Sequence, residues 1–273
     1  MTFPLHGCRA IITGASSGLG AEFARQLAPQ AAALLLVARR PEALEAVRAE
    51  CLARHPELRI EVCAADLAEA AGRETLRAQV AAGDWNLLVN NAGMGDYGSV
   101  ATADPAKLKL MIDLNVTAPV LLVNSLLPSL ARPAAILNVS SLAGEVPLPE
   151  AACYAASKAF VTRFSEALRM ELAGQGVTVS CVCPGPTPTA FSRTARRPGG
   201  GDTDRSGQDL LRQPPEHVVA VGLRALATNR ACVYPGLGVG LAARLFRHLP
   251  RVLLRPLLQR RLERGRLGDT PAP

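Results

Sequence analysis

Short runs of apolar, β-prone residues alternate with longer segments of helical period along most of this chain, and few architectures accept that order. The short runs lie at 9–13, 33–38, 59–63, 87–90, 135–140 and 177–182, with helical periodicity around 19–28, 41–55, 70–82, 104–131 and 154–174 between them. A helix between each pair of strands gives right-handed crossovers and a parallel sheet covered by helices on both faces. The reading is α/β: a doubly wound parallel sheet, three layers deep (α/β/α), in a single domain over 1–235. The stretch at about 186–214 is rich in Pro, Gly, Thr and Arg and predicts a mobile loop, the best lid candidate, rather than an element. After it, 217–228 reads as helix, 232–234 as a final strand and 236–273 as a basic amphipathic extension.

Charge places that extension apart from the body. Residues 1–192 carry 15 basic and 17 acidic side chains, whereas 193–273 carry 15 and 6, so the net +7 is C-terminal. A near-neutral body with 4% aromatics lacks the dispersed basic surface and stacking platforms of a nucleic-acid binder. Within 240–266, Leu241, Leu245, Leu249, Val252, Leu253, Leu257 and Leu258 interleave with Arg244, Arg247, Arg251, Arg255, Arg260 and Arg261. Such a stretch can rest on an anionic membrane surface. Pro250 and Pro256 break the stripe, so the favoured reading has the leucines covering a substrate cleft or a subunit interface. The odd set of seven cysteines contains no C-x-x-C pair, which predicts neither a disulfide framework nor a metal site. The first residues predict no secretory signal, and 114–131, with Asn115, Pro119, Asn124 and Pro128, is expected to form a buried helix rather than a bilayer span. The expected compartment is the reducing cytoplasm.

Three constellations carry chemistry. The first strand runs into Thr13-Gly14-Ala15-Ser16-Ser17-Gly18-Leu19-Gly20 and then a helix, a turn that lets a pyrophosphate sit on the helix N-terminus. The same residues satisfy G-x-S-x-G, which would make Ser16 a hydrolase nucleophile. Only thirteen residues precede Gly14, too few for the strands that build such an oxyanion loop. At the end of the second strand, where an NAD site wants a carboxylate, stand Arg39 and Arg40, whose guanidinium forks suit a 2′-phosphate and point to NADP. In the second half, Ser140 and Ser141 close a strand, and Tyr154 and Lys158 lie four apart on one helical face. A nearby ammonium is expected to lower the cost of ionising the phenol.

These residues together resemble the short-chain dehydrogenase/reductase family, closely over about 6–192. The resemblance rests on the glycine turn, Asp66-Leu67, Asn90-Asn91-Ala92-Gly93, Asn115, Ser141, Tyr154 with Lys158, and Pro184-Gly185. It implies a Rossmann fold and an NADP-dependent oxidoreductase moving hydride between nicotinamide and a carbonyl or secondary alcohol. By resemblance, Tyr154 is the general acid/base, Ser141 binds the reacting oxygen, Lys158 holds the ribose and biases Tyr154, and Asn115 kinks its helix and holds a relay water. The implied cofactor-binding residues are Gly14, Ser16, Ser17, Gly18, Leu19, Gly20, Arg39, Arg40, Asp66, Leu67, Asn91, Ala92, Gly93, Tyr154, Lys158, Pro184, Gly185, Thr187 and Thr189. Asp66 also reads, without the resemblance, as a helix N-cap. A homodimer or homotetramer paired through the helices of Asn115 and Tyr154 is implied as well. Residues 94–98, 142–149 and 191–213 are expected to shape a lipophilic substrate pocket. The competing reading is a catalytically silent NADP-binding scaffold or sensor on the same fold.

Overall fold

The computed structural model describes residues 2–197, 211–249, 252, 253, 256, 258 and 259. Seven parallel strands form one sheet in the order β3-β2-β1-β4-β5-β6-β7: β1 (Arg9–Thr13), β2 (Ala33–Ala38), β3 (Arg59–Ala64), β4 (Leu87–Asn90), β5 (Ala134–Val139), β6 (Val177–Val182) and β7 (Cys232–Val233). The inner strand β2, Ala-Leu-Leu-Leu-Val-Ala, is an unbroken apolar run because both faces of the sheet are covered, whereas the edge strand β3 carries Arg59 and Glu61. Ile12, Leu34 and Leu36 point to a core closed by α1 (Gly18–Leu27), α2 (Pro41–Arg54) and α8 (Pro215–Ala227). Their neighbours Ile11, Leu35 and Val37 point to the opposite core. That one is closed by α3 (Ala70–Ala81), α5 (Ala118–Leu126) and α6 (Ala152–Glu171). Strand order reverses between β1 and β4, which opens a crevice at the carboxyl ends of the strands.

The helically periodic segment at 104–131 is divided. It begins as α4 (Pro105–Ile112), passes through a π-helical turn at Asp113–Thr117, continues as α5 and ends in a 3₁₀ turn at Leu127–Ser129. Pro119 sits in the first turn of α5. The side chain of Asn115 leaves the helix to bond the backbone of Met94, with Oδ1 accepting from N at 2.9 Å and Nδ2 donating to O at 2.8 Å. One helical run, Pro105–Ser129, is long and apolar enough to cross a membrane by length and composition. In the fold, its Leu122, Val123 and Leu126 pack in the second core.

Two further expectations are corrected. Part of the segment read as loop is helical, α7 (Ala190–Ala195); its stretch 198–210, including Gly199, Gly200 and Gly201, lies outside the described residues. In the extension, α9 (Leu237–His248) packs against the 3₁₀ turn after β5 through Val239 and Ala243, with Phe246 beside them. Leu241 and Leu245, expected to cover the cleft or a subunit interface, do not line the cleft and are 71% and 55% exposed, because the buried face of α9 is the one carrying 239, 243 and 246. Leu257 and the arginines at 251, 255, 260 and 261 lie outside the described residues.

Candidate active site

The turn between β1 and α1 has a shape that only glycine permits. Gly14 has φ +67°, and a Cβ there would stand 2.9 Å from both Ala92 Cα and Asn91 Nδ2. A Cβ on Gly20 would stand 2.1 Å from the carbonyl oxygen of Gly14, so α1 starts this close to the turn only without one. Thr13 fastens the turn to the end of β4: its Oγ1 accepts from Asn91 N at 2.9 Å and Ala92 N at 3.0 Å and donates to Val89 O at 3.1 Å. The N-cap of α1, Ser17, makes no side-chain capping bond. The first-turn amides and the positive end of the helix dipole therefore meet the cleft, where Ser16, Ser17, Gly18 and Leu19 line the wall. That cradle fits a pyrophosphate. None of the four histidines lines the cleft, which leaves Ser16 without the base a hydrolase needs.

The cleft has a volume of about 1560 Å³ and gathers nearly every residue singled out from the sequence. Arg39 and Arg40 stand at the carboxyl end of β2 with exposed side chains, and Arg39 Nη1 lies 3.9 Å from Asp66 Oδ2. Asp66 is not a helix N-cap. Its Oδ1 accepts from Ala68 N at 3.0 Å in a local turn, and Glu69 occupies the cap position of α3. Leu67, Asn91, Ala92 and Gly93 line the floor, with Pro184, Gly185, Thr187 and Thr189 opposite. The side chain of Thr189 comes against Gly18, while Thr187 Oγ1 donates to Gly185 O at 3.1 Å. Gly20 and Asn115 stand behind the wall rather than on it.

At the other end of the cleft, β5 and α6 bring Ser141, Tyr154 and Lys158 together. Ser141 opens a 3₁₀ turn, Leu142–Glu145, and its Oγ accepts from Ala143 N at 3.1 Å. Tyr154 lies in the first turn of α6, and Lys158 one turn later, where its Nζ donates to Val139 O at 3.0 Å. Ser140 Oγ ties the strand to the helix by donating to Lys158 O at 2.7 Å. The expected help of Lys158 to the phenol is overridden. Nζ is 6.0 Å from the ring centroid, and burial pushes the Tyr154 phenol well above its ordinary value, with a hydrogen-bonding contact to Ser141 opposing it weakly. Burial also lowers Lys158 to about 8. The pair is thus set as a protonated phenol beside a lysine that gives up its proton easily. Asn115 Nδ2 also donates to Ser157 Oγ at 3.0 Å. A Cβ on Gly93 would stand 3.1 Å from Asn115 Oδ1 and 3.3 Å from Lys158 Nζ, so glycine keeps the gap between them open.

The substrate half holds residues that no motif announces. The Tyr154 ring meets Tyr97 edge-on at 6.3 Å and Phe191 of α7 at 5.5 Å. Asp96, buried, binds the guanidinium of Arg197 and, at 2.8 Å, Lys107 Nζ; the Arg197 contact above all holds its carboxyl below the usual range. Arg197 Nη1 also donates to Ser99 O at 2.9 Å. This knot fastens the chain after α7 over the cleft. Nothing local marks it, because its partners lie 101 residues apart. Of the expected pocket segments, Met94, Tyr97, Leu148 and Phe191 line the cleft, joined by Leu110, Leu114, Phe246 and Leu258 from outside them. Gln213 does not line it: it is buried and donates to Pro235 O.

Comparison with known proteins assigns the family. A family model described as short chain dehydrogenase matches residues 9–199. The chain is 35% identical over 242 residues to a sulfoacetaldehyde reductase of Chromohalobacter salexigens, covering 81% of this chain and 94% of the relative. A short-chain dehydrogenase from Sphingobium yanoikuyae, solved with NADPH, superposes with a TM-score of 0.74 at 26% identity, covering 97% of this chain and 96% of that one. A short-chain dehydrogenase/reductase from Burkholderia phymatum, solved with NAD, gives 0.76 at 26% identity over 89% and 94%. The chain belongs to the short-chain dehydrogenase family and is an NAD(P)-dependent oxidoreductase on a Rossmann-fold sheet.

Proposed function

We propose that this protein is an NADP-dependent reductase of a lipophilic carbonyl compound, with Tyr154 as its proton donor. The observation that carries the reading is a single cleft with the glycine turn, Arg39 and Arg40 at one end and Ser141, Tyr154 and Lys158 at the other. A bound reduced nicotinamide supplies the hydride. The glycine turn and the first amides of α1 bind its pyrophosphate, and Thr189 and Gly185 border the nicotinamide end. Ser141 Oγ holds the reacting oxygen, and Tyr154 gives that oxygen its phenolic proton. Lys158 binds the ribose hydroxyls, and a water in the gap at Gly93 links it to Asn115. The aromatic and aliphatic wall of Tyr97, Leu110, Leu114, Leu148 and Phe191 supports a lipophilic substrate. Seven free thiols suit a reducing cytoplasm. Ile112, Leu121 and Phe160 are exposed on the helices of Asn115 and Tyr154, which supports pairing of chains there in a homodimer or homotetramer.

The test is NADPH oxidation with a panel of aldehydes and ketones, run beside NADPH binding. Binding with no turnover on any member would favour the silent scaffold. Cofactor choice is tested separately. Arg39→Ala is expected to weaken NADPH by ten- to a hundredfold and leave NADH nearly unchanged, since a charge-assisted phosphate contact contributes about 1.5–3 kcal/mol. Arg40→Ala should do the same to a smaller extent. Equal Kd values of the wild type for the two cofactors would overturn the assignment.

A further inference from the structure

No C-x-x-C pair exists in this chain, yet the sheet assembles three thiols that sequence spacing keeps apart. Cys181 and Cys183 lie two apart at the end of β6, so both project from one face. The parallel pairing of β7 sets Cys232 beside Cys181. The sulfurs of Cys181 and Cys183 are 3.8 Å apart, those of Cys183 and Cys232 3.5 Å, and all three lie within 4.8 Å of one another. A cation equidistant from them would sit roughly 2.3 Å from each, the ordinary metal–thiolate distance. We propose that Cys181, Cys183 and Cys232 form a three-coordinate thiolate site for a soft cation, monovalent copper.

The donor set selects the metal. Three sulfurs exclude hard cations, and a structural zinc site wants four ligands, whereas no His, Asp or Glu joins the three sulfurs among the described residues. Monovalent copper is satisfied by thiolates alone. On binding, three S–H bonds break, three S–Cu bonds form and three protons pass to solvent, with no change of oxidation state. The centre then carries two negative charges, and two cations lie within electrostatic reach: Lys158 of Cys181 and Cys183, and Arg247 of Cys232. Access is from the sheet edge, where Cys232 is only half-buried. Cys183 directly precedes Pro184 of the cleft, which places the site behind the nicotinamide end, and none of its three ligands is a residue assigned to the reaction.

The experiment is anaerobic titration of the reduced full-length protein with Cu(I) delivered as a bicinchoninate complex, and in parallel with Zn(II) against a competing zinc dye. One equivalent of Cu(I) per chain should transfer, with an ultraviolet thiolate-to-copper band, and Cys232, the half-buried member of the three, should become resistant to alkylation. The Cys183→Ala/Cys232→Ala pair should weaken binding by more than about 100-fold, since even outer-shell changes cost 10–100-fold. Cys153→Ala should retain the full equivalent. Circular dichroism and NADPH binding check that the variants fold; should the pair not fold, Cys232→Ser at the sheet edge carries the same test. No transfer, Zn(II) binding without Cu(I), or an equivalent that survives loss of Cys232 would overturn the site.

Discussion

Tyr154→Phe is expected to lose carbonyl reduction by a factor of about 10³ while its Kd for NADPH stays within a few-fold of wild type. The substitution removes one hydroxyl and leaves the ring between Tyr97 and Phe191, so the packing at 6.3 and 5.5 Å is kept. General-acid catalysis contributes typically ~10²–10⁴-fold, which sets the size of the expected loss. The raised pKa of the buried phenol adds a direction. In the free enzyme the donor stays protonated throughout the neutral and mildly alkaline range, so reduction should not be lost between pH 6 and 8 through ionisation of Tyr154. Steady-state kinetics with NADPH titrations check both parts. Turnover within tenfold of wild type would remove Tyr154 from the chemistry.

Lys158→Met should lower turnover by about 10²-fold or more and weaken NADPH by about tenfold, because one ammonium serves both ribose and proton path. Yet the same variant without cofactor should be more stable than wild type at pH 7. The ammonium is buried with a single hydrogen bond, to Val139 O, and burial lowers its pKa to about 8. An unfolded lysine keeps its proton to roughly pH 10.4, so between 8 and that value the unfolded state binds more protons and wild-type stability rises with pH. Below pH 8 the full cost of holding the charge is present. After allowing for the lost hydrogen bond, that leaves a gap of about 2 kcal/mol in favour of the variant at pH 7, closing as pH approaches 10. Denaturant unfolding of both proteins from pH 7 to 10 measures it. A wild type more stable than Lys158→Met at pH 7 would show that the site is not built at the expense of stability.

The alternation of strand and helix, the glycine turn and the Tyr154–Lys158 spacing were all legible because each is local. A strand covered on both faces must be apolar throughout, as β2 is; a turn packed so closely on its helix that a Cβ would stand 2.1 Å from a carbonyl oxygen must be glycine; two side chains four apart must share a helical face. The break at Asn115 was implied by the family resemblance and not by local pattern, since its side chain is held by the backbone of Met94, 21 residues away. What tertiary structure alone decided are relations between distant segments. The Asp96–Arg197 knot, the rings of Tyr97 and Phe191 on Tyr154, the meeting of Cys181, Cys183 and Cys232, and the face that α9 buries have no periodicity to betray them. Burial, too, is a property of the assembled molecule. It reverses the expected effect on Tyr154, because taking a phenol out of water costs its anion more than an ammonium 6.0 Å from the ring returns.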